Sequence, residues 1–269
     1  MPQPKVKRPE PIVLMSLTDR LQGYSKDSWM RESRRHFSSA LFLRRIRGRR
    51  RGRVTRETAH RRQLDHILAM EACVHSSYLL IGYAVELALK AGLTAVYTGC
   101  SRRLFRIDMQ GRYRHDLVRM ADDIDFPMSA DQRRQLKYLG RVIVADGRYP
   151  PYANTAAEDI VRYNSRAVEF WSDENFRENV KLYRAISRHV FRIDGDERNP
   201  SSSYGRRIDA DGYVAFRIGG NLRTRITVKY STKQRQARRN NRRALRRLLR
   251  HDLLVTQYWD QAFHRRVKY

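Results

Sequence analysis

Apolar residues recur at helical spacing along most of this chain up to about residue 192, and alternate in strand fashion only beyond it. Residues 1–15 carry four prolines and read as extended. Over 27–47, Trp29, Met30, Phe37, Ala40, Leu41 and Leu43 return at roughly helical spacing between cations, which predicts a first helix. The run 47–56, RGRRRGRVTR, has two glycines among its arginines and reads as a flexible basic loop. The strongest helix signal follows, with Leu64, Ile67, Leu68, Ala72, Tyr78, Leu79, Tyr83, Leu87 and Leu89 marking one long apolar helix that ends near Gly92 or Gly99. Small residues at Ser76, Gly82, Ala84, Ala88 and Ala91 allow a neighbouring helix to come close, so this is expected to be a central core helix. The segment 102–114 reads as a connection with a short hairpin, His115-Asp116-Leu117 as the start of a short helix, and Ser129 as the N-cap of a helix over 130–145. The run 146–152, DGRYPPY, stops that helix, and 156–163 and 170–191 supply further amphipathic helix. Thus 27–192 is expected to be a bundle of four or five helices.

Residues 193–206 are polar and rich in Pro, Ser and Gly, and read as a linker. Beyond it, 213–218 and 223–230 alternate around Gly219-Gly220, which predicts a β-hairpin. Residues 231–254 read as one helix with a stripe of Leu245, Leu248, Leu249, Leu253 and Leu254 and arginines elsewhere. The predicted organisation is a mainly α protein: an extended basic segment 1–26, the bundle 27–192 with its basic loop 47–62, the linker 193–206, and a small basic hairpin-plus-helix module 207–269.

Charge sharpens this picture. The 269 residues hold 56 Lys and Arg against 28 Asp and Glu, net +28, and 47 of the cations are Arg. Residues 1–62 net +13 and residues 201–269 net +14, while 63–200 net about +1. A nearly neutral body with a basic extension at each end repels itself, and nucleic-acid phosphate is the commonest partner that relieves such repulsion. Arginine suits it, because the planar guanidinium grips phosphate through two donors. Two cysteines, Cys73 and Cys100, supply neither a disulfide framework nor a zinc set and read as structural thiols in a reducing compartment, which for this chain means the cytoplasm. The only N-terminal apolar run is 12–15, and the longest uncharged stretch, 73–85, is about half a membrane span, so no membrane segment is expected. No phosphate-binding glycine loop, dinucleotide fingerprint, nucleophile elbow or zinc spacing occurs, and no metal or cofactor is expected.

Residues 75–93, HSSYLLIGYAVELALKAGL, contain the string Gly82-Tyr83-Ala84-Val85-Glu86-Leu87-Ala88-Leu89-Lys90. Further on come His115-Asp116-Leu117 and Gly147-Arg148-Tyr149-Pro150. In this order the three pieces resemble the core helix, the following helix start and the post-third-helix turn of HEPN-domain proteins, over roughly 27–192. The resemblance implies a four-helix up-and-down bundle that dimerises. It also implies an RNA- or nucleotide-linked role in toxin–antitoxin, phage-defence or RNA-processing systems. Many members are metal-independent ribonucleases with an Arg-x4–6-His motif on a late helix, and Arg184 and His189 have that spacing, with Ala185 where a polar residue commonly follows the Arg.

For metal-free RNA cleavage the ribose 2′-hydroxyl is the nucleophile, a His supplies acid–base chemistry near neutral pH, and an Arg stabilises the phosphorane. Arg184 and His189 are therefore the catalytic candidates, against the plainer reading of a solvated basic face. Glu86 on the core helix is expected to be half-buried and paired with Arg148 or Tyr149, since a buried carboxylate needs a partner; Glu86, Arg148 and His115 stand as secondary candidates. Asp116 is expected to cap a helix rather than act with His115. For nucleic-acid binding the candidates are Arg49, Arg50, Arg51 and Arg53 in the basic loop, and Arg235, Arg238, Arg239, Arg242, Arg243, Arg246, Arg247 and Arg250 on one broad face of the last helix. No acid interrupts 231–250. Tyr230, Tyr258, Trp259 and Phe263 either stack on bases or pin this helix to the body. The leading expectation is a HEPN-like bundle with basic additions that binds structured RNA, with cleavage as a dimer left open. The alternatives are a noncatalytic component of a ribonucleoprotein, or an effector whose basic arms bind a cognate partner protein or DNA.

Overall fold

The computed structural model describes residues 12–16, 21–50, 60–146 and 153–267. The protein is mainly helical with one small sheet. In chain order its elements are α1 (Lys26–Arg50), α2 (His60–Val96), α3 (Arg102–Asp108), α4 (Leu117–Asp123), α5 (Ala130–Arg141), α6 (Ala156–Trp171), α7 (Asp173–Arg192), β1 (Ser202–Ile208), β2 (Gly212–Ile218), β3 (Arg225–Lys229), α8 (Thr232–Gln236), α9 (Arg242–Leu248), α10 (Leu253–Tyr258) and β4 (Phe263–Arg266). Single π-helical turns follow α3 and α5, over Met109–Tyr113 and Val142–Asp146. The chain packs as two units, one helical (Lys26–Gly92 and His115–Val190) and one mixed, built mainly from Leu93–Arg114 and Phe191–Tyr269.

In the helical unit, α2 is the axis. Val74, Tyr78, Ile81, Ala84, Val85, Ala88 and Leu89 are all buried, as are Met30 and Ala40 of α1, Leu136 and Leu139 of α5, and Phe176, Leu182, Tyr183 and Ile186 of α7. Small residues on α2 set the approach of its neighbours. A Cβ on Gly82 would stand 2.9 Å from Ile143 Cγ1, and one on Gly92 would stand 3.0 Å from Ile124 Cγ2. Local polar signals start the helices. Asp116 accepts from the Arg119 N–H and caps α4, Ser129 and Gln132 form a reciprocal capping box at α5, and Thr155 caps α6. Residues Asp65–Val96 of α2 are long and apolar enough to cross a membrane, but 72% of that apolar window is buried in the protein's own packing.

The mixed unit is a four-stranded sheet in the order β1-β2-β3-β4, with antiparallel β1–β2 and β2–β3 pairs and a parallel β3–β4 pair. Antiparallel neighbours need only tight turns, whereas the parallel last pair needs a crossover, and α8–α10 supply it. One face of the sheet (Val214, Phe216, Ile226, Val228) packs with Tyr230, Leu245, Leu249, Val255, Trp259 and Ala262 into a core. The other face buries Tyr213, Ala215, Arg217, Arg225 and Thr227. On that side Arg217 Nη1 donates to the Ala95 carbonyl at 3.2 Å, and Gly99 and Gly205 bring two backbones into contact without side chains between them.

Four expectations need correction here. Residues 47–50, expected in the basic loop 47–62, continue α1, and α2 begins at His60 inside that expected loop. The segment 102–114 is helix and a π-turn, not a hairpin, because Ser101 caps α3 and Leu104, Phe105 and Asp108 bury one helical face. The C-terminal module is more than a hairpin. Residues read as linker form β1, and Phe263–Arg266 adds β4. The single helix over 231–254 is three short ones. Arg238 takes a left-handed φ of 53°, and Ser231, Asn241 and Asp252 each start a new helix by accepting a main-chain N–H. The core helix, the Ser129 start and the strands around Gly219-Gly220 lie where their patterns put them. The packing also divides within the expected 27–192 bundle, since Leu93–Arg114 belongs to the mixed unit.

Candidate nucleic-acid interface

The segment 231–262 folds back on the sheet and buries Leu245, Leu249, Val255 and Trp259. With Leu245 and Leu249 turned to the sheet, the opposite side of α9 carries Arg243 and Arg247, and Arg250 follows its end; all three are exposed. Arg238 and Arg239 lie exposed in the turn before α9. Among the described residues the side chains of Arg238, Arg239, Arg243 and Arg247 meet no carboxylate, and Arg250 meets only His251, Nε to Nε2 at 2.9 Å. Arg242 and Arg246 lean over the buried Trp259 ring at 5.7 and 5.9 Å from its centroid, and Arg246 also stands 4.0 Å from the exposed Asp260 carboxylate. Trp259 is fixed in turn by His264, whose Nε2–H donates to the Trp259 carbonyl at 3.0 Å and whose ring packs edge-on. Burial disfavours the His264 cation, and its pKa lies below the ordinary value despite that hydrogen bond.

Three acids near this surface are already engaged, while Asp260 stays exposed beside Arg246. Asp209 accepts from the Ser231 hydroxyl at 2.8 Å, Asp252 accepts from Tyr204 and caps α10, and Asp211 accepts from the Thr232 N–H and hydroxyl. Burial opposes the Asp211 charge, yet the bonds from Thr232 hold its pKa below the usual value. The arginines therefore do not share one helix face as expected. They are spread over a turn and a short helix, and Arg235 is bound elsewhere. Its guanidinium reaches the Tyr230 carbonyl at 2.7 Å, the Thr232 hydroxyl at 2.7 Å and Asp211 at 3.4 Å. Of the aromatics, Tyr230 and Trp259 are core residues, Tyr258 is half-buried, and Phe263 is exposed.

Several cations of the basic C-terminus serve the fold. Arg217, buried in β2, pairs with Asp194. Arg265 pairs with Asp108 and donates to the Tyr97 hydroxyl at 2.6 Å, while Tyr97 donates to Asp108 at 2.5 Å and lies 3.1 Å from the Tyr113 hydroxyl. Burial, then the neighbouring Tyr113, holds the Tyr97 hydroxyl well above its ordinary pKa. Although burial opposes the Arg265 charge, Tyr97 and Asp108 keep it more firmly protonated than usual. Neither pairing had a sequence signal, since Asp108 and Arg265 are 157 positions apart. Burial pushes the Cys100 thiol up to about 11, against a hydrogen bond from Thr227, which leaves it an inert packing group.

In the helical unit, Glu86 is buried and its Oε2 accepts from His115 Nδ1 at 2.9 Å, while Oε1 pairs with Lys90 Nζ at 2.5 Å. The His115 side chain is 36% exposed. A carboxylate only accepts, so Nδ1 carries the proton and Nε2 has none in the neutral ring. Lys90 also lies over the Trp29 ring at 5.6 Å. The Glu–x3–Lys spacing that joins Glu86 to Lys90 was visible in the sequence; the expected partners Arg148 and Tyr149 lie outside the described residues. The structure does not bring Arg184 and His189 together. Arg184 is exposed, and no hydrogen bond joins their side chains among the described residues. His189 Nε2–H donates to the Ile124 carbonyl at 2.8 Å and its ring packs edge-on against Phe126, so it ties α7 to the end of α4. Arg51 and Arg53, and the side chains of Arg49 and Arg50, also lie outside the described residues. Among the described residues no cluster of three His, Cys, Asp or Glu could hold a metal. No family model matches the chain, and neither a curated protein nor a solved structure matches it.

Proposed function

We propose that this protein binds RNA through the arginine surface of the turn before α9 and of α9 itself. The observation that carries the reading is the exposed set Arg238, Arg239, Arg243 and Arg247, with no carboxylate partner among the described residues. Such cations gain affinity by releasing counterions from phosphate, which gives log K a steep dependence on log salt. Binding of a structured RNA is measured at 50 and 200 mM salt for the wild type and for the Arg239→Gln/Arg243→Gln/Arg247→Gln variant. With five to six phosphates contacted, wild-type affinity falls on the order of 10³-fold between those salts. The variant binds more weakly and with a shallower slope, by roughly one unit of slope per contact removed. Unchanged affinity in the triple variant refutes the assignment of the surface.

A second reading, a HEPN-like metal-independent ribonuclease, draws on a different observation. Two of the three sequence pieces that carry the resemblance meet in space, Glu86 of the core-helix string and His115 of the His-Asp-Leu start. Glu86 orients the imidazole, and Nε2 is the nitrogen available to exchange a proton, the arrangement that general acid–base chemistry needs. The same RNA is incubated with EDTA and wild type, His115→Ala or His189→Ala. EDTA-resistant cleavage lost in His115→Ala supports this reading. Binding without cleavage in any of them leaves the noncatalytic ribonucleoprotein role.

A further inference from the structure

We infer that the α9 surface takes the sugar–phosphate backbone of paired RNA and does not read unpaired bases; this rests on the RNA-binding reading above. A site for single strands combines cations with exposed aromatic faces on which unstacked bases lie. Over 231–262 the Phe, Tyr and Trp residues are Tyr258, which is half-buried, and Trp259, which is 3% exposed and has Arg242 and Arg246 leaning over its ring; the exposed His251 ring is engaged by Arg250 at 2.9 Å. Among the described Phe, Tyr and Trp residues of the module the exposed one, Phe263, lies under Arg223 and Arg225 at 5.4 and 5.5 Å. Unpaired bases therefore find no free ring on the described part of this surface.

α9 itself carries no Asn or Gln to read base edges. Recognition of a base in a groove uses a protruding helix or ribbon with Asn, Gln or Arg at its tip. Here α9 is seven residues long, about 10 Å, and lies on the sheet through Leu245 and Leu249. Two amide neighbours serve helix starts: Asn241 accepts from the Ala244 N–H, and Gln234 closes the capping box with Ser231. On α9 itself the polar groups are all guanidinium, and two of them, Arg242 and Arg246, are held over a buried indole one turn apart. Donors pre-placed on a helix without amides position a phosphate backbone and carry no sequence information. A duplex keeps its bases inside and presents that backbone on a regular surface, and RNA duplexes in particular are recognised by shape and phosphate contacts.

The test uses the full chain and four probes of equal length, compared at 50 mM salt and titrated to 200 mM for the salt slope: two RNA duplexes of unrelated sequence, an unstructured single-stranded RNA, and a DNA duplex. The expected result is about tenfold tighter binding of both RNA duplexes than of the single strand, with the two duplexes within about threefold of each other. The Arg242→Gln/Arg246→Gln variant, compared at unchanged melting temperature, lowers the salt slope on the RNA duplexes by about two. Equal or tighter binding of the single strand overturns the inference, as does a tenfold preference between the two duplexes. Tighter binding of the DNA duplex than of either RNA duplex overturns the assignment to RNA. Failure to bind any probe at 50 mM salt is a different outcome, because it removes the RNA-binding reading itself.

Discussion

Replacing Arg44 by Met removes a guanidinium that organises the junction of α6 and α7. Its side chain is 9% exposed, and it donates to the carbonyls of Phe170 (2.8 Å), Ser172 (2.8 Å) and Trp171 (3.3 Å). It also meets Asp173 at 2.9 Å and lies over the Phe176 and Tyr78 rings at 4.9 and 5.6 Å. These carbonyls end α6, where the last turn has no internal donors, so a cation there both fills acceptors and complements the helix dipole. Hydrogen bonds to a charged group contribute roughly 1.5–3 kcal/mol each. Burying the guanidinium takes back several kcal/mol, and the Asp173 pair, 59% exposed on the acid side, adds less than about 1 kcal/mol. Ser172 retains one donor after the substitution, the Tyr78 hydroxyl at 3.3 Å. Met keeps most of the apolar stem, so packing loss is small. The expected net cost is about 3 kcal/mol, roughly 6–12 °C in melting temperature for a unit of this size. Arg44→Lys keeps the charge and loses the fork, and costs about half as much. Urea and thermal unfolding followed by far-UV circular dichroism measure both. A midpoint for Arg44→Met within 1 °C of wild type refutes the reasoning, because it would mean that water replaces the guanidinium at no cost.

Two further predictions concern the mixed unit. Gly99 has φ +82° and a Cβ there would stand 2.5 Å from the Tyr204 carbonyl oxygen, so Gly99→Ala costs about 2–4 kcal/mol in denaturant unfolding, and a cost under 1 kcal/mol contradicts the close approach. Tyr97 titrates above its unfolded value, so its neutral form is favoured by folding. That contribution is complete below about pH 10 and is lost as pH rises through the higher folded pKa. Stability measured from pH 8 to 11 should therefore fall at the alkaline end in the wild type and fall less in Tyr97→Phe; equal slopes in both proteins reject the assignment.

Where local chemistry decided structure, the sequence was readable. Ser129 announced the α5 start, and the apolar positions of α2 with its small residues announced an axis that Gly82 brings close to Ile143. The strands on either side of Gly219 and Gly220 were readable because both glycines sit at positive φ, the backbone a tight connection demands. What stayed hidden was non-local. β1 is Ser-Ser-Tyr-Gly-Arg-Arg-Ile, and its residues are strand because they pair with β2, not because they alternate. β4 is four residues that owe their conformation to a parallel partner 38 positions earlier. The leucine stripe over 245–254 suggested continuity, but three capping residues inside or beside it compete for the main chain. Only Leu245 and Leu249 of that stripe are buried, and Leu253 is 84% exposed. The site followed the same rule. The i, i+4 spacing of Glu86 and Lys90 is local, although Arg148 and Tyr149 were the expected partners, whereas the Glu86–His115 contact depends on two helices meeting.

The charge distribution means something narrower in the fold than in the sequence. A terminus that reads as a basic extension is a folded sheet-and-helix unit, and part of its charge is internal to it: Arg217 answers Asp194, Arg265 answers Asp108, and Arg235 answers Asp211. These three are excluded from any count of phosphate contacts. What is left is a smaller set on and before α9, where like charges face each other at i, i+4 in Arg242/Arg246 and Arg243/Arg247. Each such pair costs only about 0.2–0.5 kcal/mol in an isolated helix, which a unit with the core of Phe216, Ile226, Leu245 and Trp259 tolerates without a ligand. Repulsion therefore does not force a partner on this protein. The stronger consideration is that the fold engages Asp209, Asp211 and Asp252 in helix starts and hydroxyl bonds while leaving Arg238, Arg239, Arg243 and Arg247 without a carboxylate partner among the described residues. With those three acids engaged and the exposed Asp260 reaching only Arg246, at 4.0 Å, the surface stays positive whether or not anything is bound. A surface of that kind can take a polyanion without first breaking ion pairs of its own.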